Sequence, residues 1–221
     1  AFSRGLVNLH SPVDCGGAGT QRIRLVREIL TGHCDPALVQ LGVALGGRVL
    51  REMAEAVGLG QLPATDVPAA AGALPELDGR DGDVLARVAS GDGGVLVSPL
   101  HMAAVAATVA RGGERVSPYF VKAVRGELGI VDRAAVRPAV RILAPEVAQA
   151  VVEAMKVSGK GGVPAVTGVV RAGGKSAGWF VGIGPAQRPR LAVAVLVEGA
   201  REEVAAAVGQ KVVEAALRVV R

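Results

Sequence analysis

An ammonium and a hydroxyl stand side by side at Lys175-Ser176, and Ala177-Gly178-Trp179-Phe180-Val181-Gly182-Ile183-Gly184-Pro185 follow as an apolar run closed by a Gly-Pro turn. Such a pair can hold a carboxylate and relay a proton. The preceding Gly173-Gly174 allows a phosphate cradle as a second reading. Thr167, however, stands where the first glycine of that loop is required, and a strand rather than a helix follows. Upstream, Thr31-Gly32-His33-Cys34-Asp35-Pro36 places an imidazole two residues from a carboxylate, so His33 is a candidate proton carrier. No metal site is implied, because Cys15, Cys34, His10 and His33 lack ligand spacing. His101, set in an almost wholly apolar stretch, reads as a satisfied core or cleft-lining residue.

These residues need elements to position them. Apolar positions at 23, 25, 26, 29 and 30 predict a helix over 21–30, stopped by Gly32. Asp35-Pro36 opens a helix over 36–46, and another spans about 46–57, ending at Gly58 and Gly60. Residues 61–94 read as loops with one short helix at 81–89. Ser98-Pro99 then starts a helix that is apolar on every side, as a buried helix is, and Gly112-Gly113 closes it. A short extended piece is expected at 118–124 and an amphipathic helix at 144–156. Three strands are expected at 169–175, 179–183 and 191–197, with Trp179 and Phe180 on opposite faces, before a closing helix over 202–220. Helices, then an antiparallel sheet, then a packing helix make this a mixed α/β chain of the α+β type, read as one domain over 1–221.

Half of the 221 residues are hydrophobic but only 2% are aromatic, so the core must be built from Val, Ala and Leu. The charge of +5 arises from 20 Arg and 5 Lys against 20 acidic residues. Without a basic run or aromatics for base stacking, nucleic acid is not the indicated partner; an anionic polymer or membrane surface suits the balance better. No apolar run reaches the ~18 residues of a membrane span. The start, Ala1-Phe-Ser-Arg-Gly5, has neither an initiator Met nor a signal pattern, which reads as a piece of a longer chain with any anchor upstream. Cys15 and Cys34 suit one disulfide if the protein is exported; two buried thiols is the other reading, and both stand.

Three segments together resemble the penicillin-binding protein transpeptidase domain family. Leu30 to Gly42 is similar to the family's Ser-x-Asn motif and the apolar helix after it. Gly91-Asp-Gly-Gly-Val-Leu-Val-Ser-Pro-Leu-His-Met-Ala103, with Ala110-Arg-Gly-Gly113 and Ser117-Pro118, resembles the family's Gly-rich turn, Ser-Pro-Leu-x-Met-Ala helix and Asn-Gly-Gly closure. Gly159 to Ala177 resembles the approach to its Lys-Thr/Ser-Gly strand. The resemblance implies a five-stranded antiparallel sheet covered by helices on both faces, with an all-helical subdomain from about 21–60 and 98–112. It implies no cofactor, an extracytoplasmic site, and peptidoglycan stem peptides or β-lactams as ligands, with cell-wall synthesis proteins as partners.

The family's acyl transfer needs a Ser-x-x-Lys nucleophile, a Ser-x-Asn relay and the lysine strand. No serine here is followed three positions later by lysine, so the nucleophile lies upstream or is absent. His33 and Asp35 take the second motif, and Asp35 cannot donate as asparagine does. Lys175 and Ser176 keep the third motif's charge and hydroxyl, with Ala177 in place of glycine. An alternative alignment sets Thr167-Gly168 on that motif, leaving Val166 in place of the lysine. The expectation is a penicillin-binding-protein-like domain with impaired catalysis. Two others stand beside it: the C-terminal part of an active D,D-transpeptidase or carboxypeptidase, or the same fold used as a ligand- or protein-binding module. Without the strands and helix preceding the nucleophile, an apolar face should stay open, met by a complementing chain segment, a rearranged packing or an oligomer.

Overall fold

The computed structural model describes residues 1–16, 21–30, 34–63, 65–77, 81–91, 93–115, 117–134, 136–159, 162–172 and 175–219, with the backbone alone at 158, 171, 172 and 175. Its first elements are the paired strands β1 (Pro12–Asp14) and β2 (Ile23–Leu25), then a 3-10 turn Val26–Glu28. Four helices follow: α1 (Asp35–Leu45), α2 (Gly47–Ala56), α3 (Gly82–Ser90) and α4 (Pro99–Ala110). The short strands β3 (Glu114–Arg115), β4 (Ala123–Gly126), β5 (Gly129–Arg133) and β6 (Val140–Arg141) lead to helix α5 (Pro145–Ser158). The chain ends with β7 (Ala165–Ala172), β8 (Lys175–Gly184), β9 (Leu191–Glu198) and α6 (Glu202–Val219). Helix starts follow from local chemistry: Pro36, Pro99 and Pro145 lie in first turns, Asp81 accepts from the N–H groups of Asp83 and Val84, and Ser98 accepts from that of His101.

The antiparallel meander β7-β8-β9 is the centre of the fold, with β8 in the middle. On one face Ile183 is fully buried against Ala106 and Val109 of α4 and Val152 and Met155 of α5. On the other Phe180 is fully buried against Ala205 and Val213 of α6. Strand alternation sorts the two sets, and Trp179 is only half-buried, on the opposite side from Phe180. Gly209 of α6 is the socket for Phe180: a Cβ there would overlap the ring. In the helical subdomain α1 and α3 approach closely enough that a Cβ on Gly42 would collide with Ala89.

Residues 21–30 depart from the expected helix. Cys15 N–H donates to the Arg22 carbonyl at 2.8 Å, Val13 pairs with Arg24, and the chain enters a strand and then a 3-10 turn. Residues 23 and 25 fit a period of two as well as they fit helical spacing, and the cross-strand partner decides. The expected strand at 169–175 is two strands: β7 ends at Ala172, and Lys175 opens β8 opposite it. The glycines 173 and 174 between them lie outside the described residues. The segment 118–124 contributes only the beginning of the β4–β5 hairpin. Among the described residues the central sheet has three strands, and β1–β2, β3–β6 and β4–β5 form separate two-stranded pairs.

An open apolar face is present. Val204, Val208 and Val212, spaced along one side of α6, are 48%, 40% and 42% exposed, and β9 pairs only with β8 among the described residues.

Because the Phe180 ring fills the Gly209 socket, Gly209→Ala should lower unfolding free energy by about 1–3 kcal/mol through overpacking. Urea unfolding followed by circular dichroism measures this; an unchanged midpoint would show that the socket is not close-packed.

Candidate active site

The N-terminus of α1 is built around a cystine. Cys34 is fully buried and precedes Asp35, the first helical residue. It is disulfide-bonded to Cys15 at the end of the β1–β2 hairpin, with a Cα–Cα separation of 4.9 Å. Val26, Ile29 and Ala37 are buried with Cys34 in one cluster. The helix start is thereby held to the hairpin from inside, while the Asp35 side chain is exposed. His33 lies outside the described residues.

The hairpin has its own clamp. Asp14 Oδ1 accepts from the backbone N–H groups of Arg22 at 2.9 Å and Gly16 at 2.8 Å. These two donors, Arg22 first, hold the Asp14 carboxyl below the usual carboxylate range.

Lys175 and Ser176 lie elsewhere. Lys175 pairs with Ala172 and Ser176 with Arg171 at the far end of the β7–β8 hairpin, where the Ser176 carbonyl accepts from Gly199 N–H at 2.8 Å. Val166, opposite Val181, packs against the α4–α5–Ile183 cluster, and Leu30, three residues before His33, packs against the same cluster. Along β8, Lys175 is six residues from Val181, about 20 Å of strand. The start of β7 and the approach to α1 therefore share one cluster, and Lys175 with Ser176 sits at the opposite end of the hairpin. On β7, Thr167 pairs with Phe180 and Gly168 with Trp179, so Thr167-Gly168 and the Trp-Phe pair occupy neighbouring strands. Thr167 lines a small crevice with Glu202 and Glu203 of α6.

His101 is buried and satisfied, as its apolar setting suggests. Its Nε2 lies 3.0 Å from the Gln61 carbonyl and its Nδ1 3.3 Å from Ser98 N–H. A carbonyl only accepts and an amide N–H only donates, so the ring carries its proton on Nε2.

The model of the penicillin binding protein transpeptidase domain matches residues 14–218. The chain belongs to that family. Among relatives, it is 33% identical over 232 residues to the peptidoglycan D,D-transpeptidase PbpA of Mycobacterium tuberculosis, covering 92% of this chain and 46% of that protein. The chain thus spans about half the length of this relative. Among solved structures, the M. tuberculosis penicillin-binding protein A imipenem acyl-enzyme complex superposes with a TM-score of 0.80 at 30% identity, covering 96% of this chain and 55% of that one. The D,D-transpeptidase domain of a peptidoglycan glycosyltransferase from Eggerthella lenta gives 0.86 at 22% identity over 99% of this chain and 62% of that one, a likeness of fold. The penicillin-binding protein fold expected from the motifs, an antiparallel sheet between helical layers, is the fold observed.

Two measurements test the anchoring of α1. A cross-link closing a loop of this length contributes about 3 kcal/mol. Cys15→Ser, or reduction, should therefore lower stability by that order, read from denaturant unfolding; a loss below about 0.5 kcal/mol, the scatter of neutral substitutions, would mean the cystine is not an anchor. For Asp14, a depressed carboxyl adds stability above the pH where the unfolded side chain titrates, and that stability is lost as pH falls through the native value. Carbon-detected NMR should find its midpoint below that of a free aspartate, and Asp14→Asn should flatten the acid limb of the stability curve.

Proposed function

We propose that this penicillin-binding protein domain serves peptidoglycan synthesis on the extracytoplasmic side of the plasma membrane with impaired acyl transfer. The carrying observation is the company of Val166. It stands on the strand preceding the Trp-Phe strand and packs on the cluster that also seats the approach to His33-Cys34-Asp35. An isopropyl group there supplies neither the charge nor the proton path that the family's motif lysine supplies. Asp35 adds negative charge where the family has an amide, which opposes a carboxylate-bearing stem peptide. Lys175 and Ser176 are the other candidates for the third motif; their place at the far end of the hairpin argues for Val166-Thr167-Gly168 instead.

In this reading the domain is a structural or regulatory partner of cell-wall synthesis proteins. The valine stripe of α6 and the edge of β9 that is unpaired among the described residues receive a complementing segment or a second subunit. A second reading is the C-terminal part of an active D,D-transpeptidase; it is favoured by the 33% identity to a protein named for that activity.

Covalent labelling of the full-length protein by a fluorescent penicillin, read on a denaturing gel, separates the two. Impaired acyl transfer predicts no band above a heat-denatured control, and Val166→Lys with His33→Ser and Asp35→Asn raises labelling if a nucleophile lies upstream. Ready labelling of the unaltered protein that is lost in Lys175→Ala would overturn the proposal and restore Lys175 as the motif lysine.

A further inference from the structure

A cavity of about 570 Å³ opens between the α2–α3 connection, the first turn of α4 and the β3–β6 ladder. That volume suits a small organic ligand. The ladder's register decides what faces it. Glu114 is opposite Arg141 and Arg115 opposite Val140, so alternation sends the two pairs to opposite sides. Glu114 and Arg141 form an ion pair on one side, joined by Arg111 at 3.6 Å. Arg115 and Val140 line the cavity on the other.

Arg137 also lines the cavity and has no ion pair among the described residues. Among the described residues Arg115 has one weak neutral partner, the Glu55 carbonyl at the end of α2, 3.5 Å away. Two guanidinium groups thus line one cavity whose described lining carries no carboxylate. In the adjoining cleft, which Arg137 also lines, Asp66 accepts from the backbone N–H groups of Phe120 at 2.8 Å and Val121 at 2.7 Å. Leu62, Pro118, Pro138 and Val140 supply apolar wall. One rim is preset, because His101 holds the Gln61 carbonyl from below.

We propose that this cavity binds a small ligand bearing a carboxylate or phosphate on a compact apolar body, with Arg115 and Arg137 taking the oxyanion. Guanidinium forks match both oxyanions through paired N–H donors, and the prolines and aliphatic side chains shield the body. The cavity shares no residue with Asp35, Val166 or Lys175, so the outcome of penicillin labelling does not bear on it.

Calorimetric titration of the full-length protein with phenyl phosphate, benzoate, phenol and inorganic phosphate tests the assignment. Saturable binding of phenyl phosphate or benzoate at millimolar concentration or below is expected, tighter than phenol or inorganic phosphate, and weakening with salt. Arg137→Ala should weaken it at least tenfold, as loss of a charge-assisted contact does, while Arg125→Ala on the exposed β4–β5 hairpin leaves it unchanged. Melting curves confirm that both variants fold. No saturable binding, equal affinity for inorganic phosphate alone, or equal loss in the two variants would overturn the proposal.

Discussion

Strand β8 is buried on both faces, and most of the architecture follows from that constraint. With only three Phe, one Trp and one Tyr in the chain, aromatic volume for the core is scarce. Phe180 fixes α6 through the Gly209 socket, and Ile183 fixes α4 and α5 together. A core of valine and alanine has little volume per residue, so close approach replaces bulk. The glycines at 42 and 209 are where helices come near enough to make that work. The site inherits this arrangement. β7 is placed by β8, α5 packs on β7, and the approach to α1 rests on the cluster that α4 and α5 form with Ile183.

The helices were the most legible part of the sequence. Ser98-Pro99, Asp35-Pro36 and the prolines and glycines near them carry capping chemistry that acts within a few residues, and α1, α2, α3, α4, α5 and α6 start and stop close to where those signals stand. What depends on distant partners was not legible. Residues 23–25 pair with 12–14 across a loop, a contact that no local period reveals. The Lys175-Ser176 motif depends on the same kind of contact. Its residue types suit the family's third motif, and strand register, a long-range property, sets it at the far end of the hairpin. The alternative placement on Val166-Thr167-Gly168 was visible in the sequence, and nothing local could rank it above the other.

The cystine shows the same division. Two cysteines 19 positions apart allowed a bond or two buried thiols, and only the hairpin fold that brings Cys15 to the head of α1 decides for the bond. Arg115 and Arg137 were invisible as a pair. Twenty-two residues separate them, and only the β3–β6 register turns Arg115 toward the side where Arg137 lies. The sequence identifies the family through short capping and turn motifs, whereas the chemistry depends on which strands lie side by side.

Turnover reports the chemistry of the site most directly. Incubating the full-length protein with a D-alanyl thioester and following thiol release measures acyl transfer without a β-lactam. Impaired transfer predicts release no faster than buffer alone across the neutral range. Saturable release that is abolished by Lys175→Ala but untouched by substitution at Val166 would contradict it.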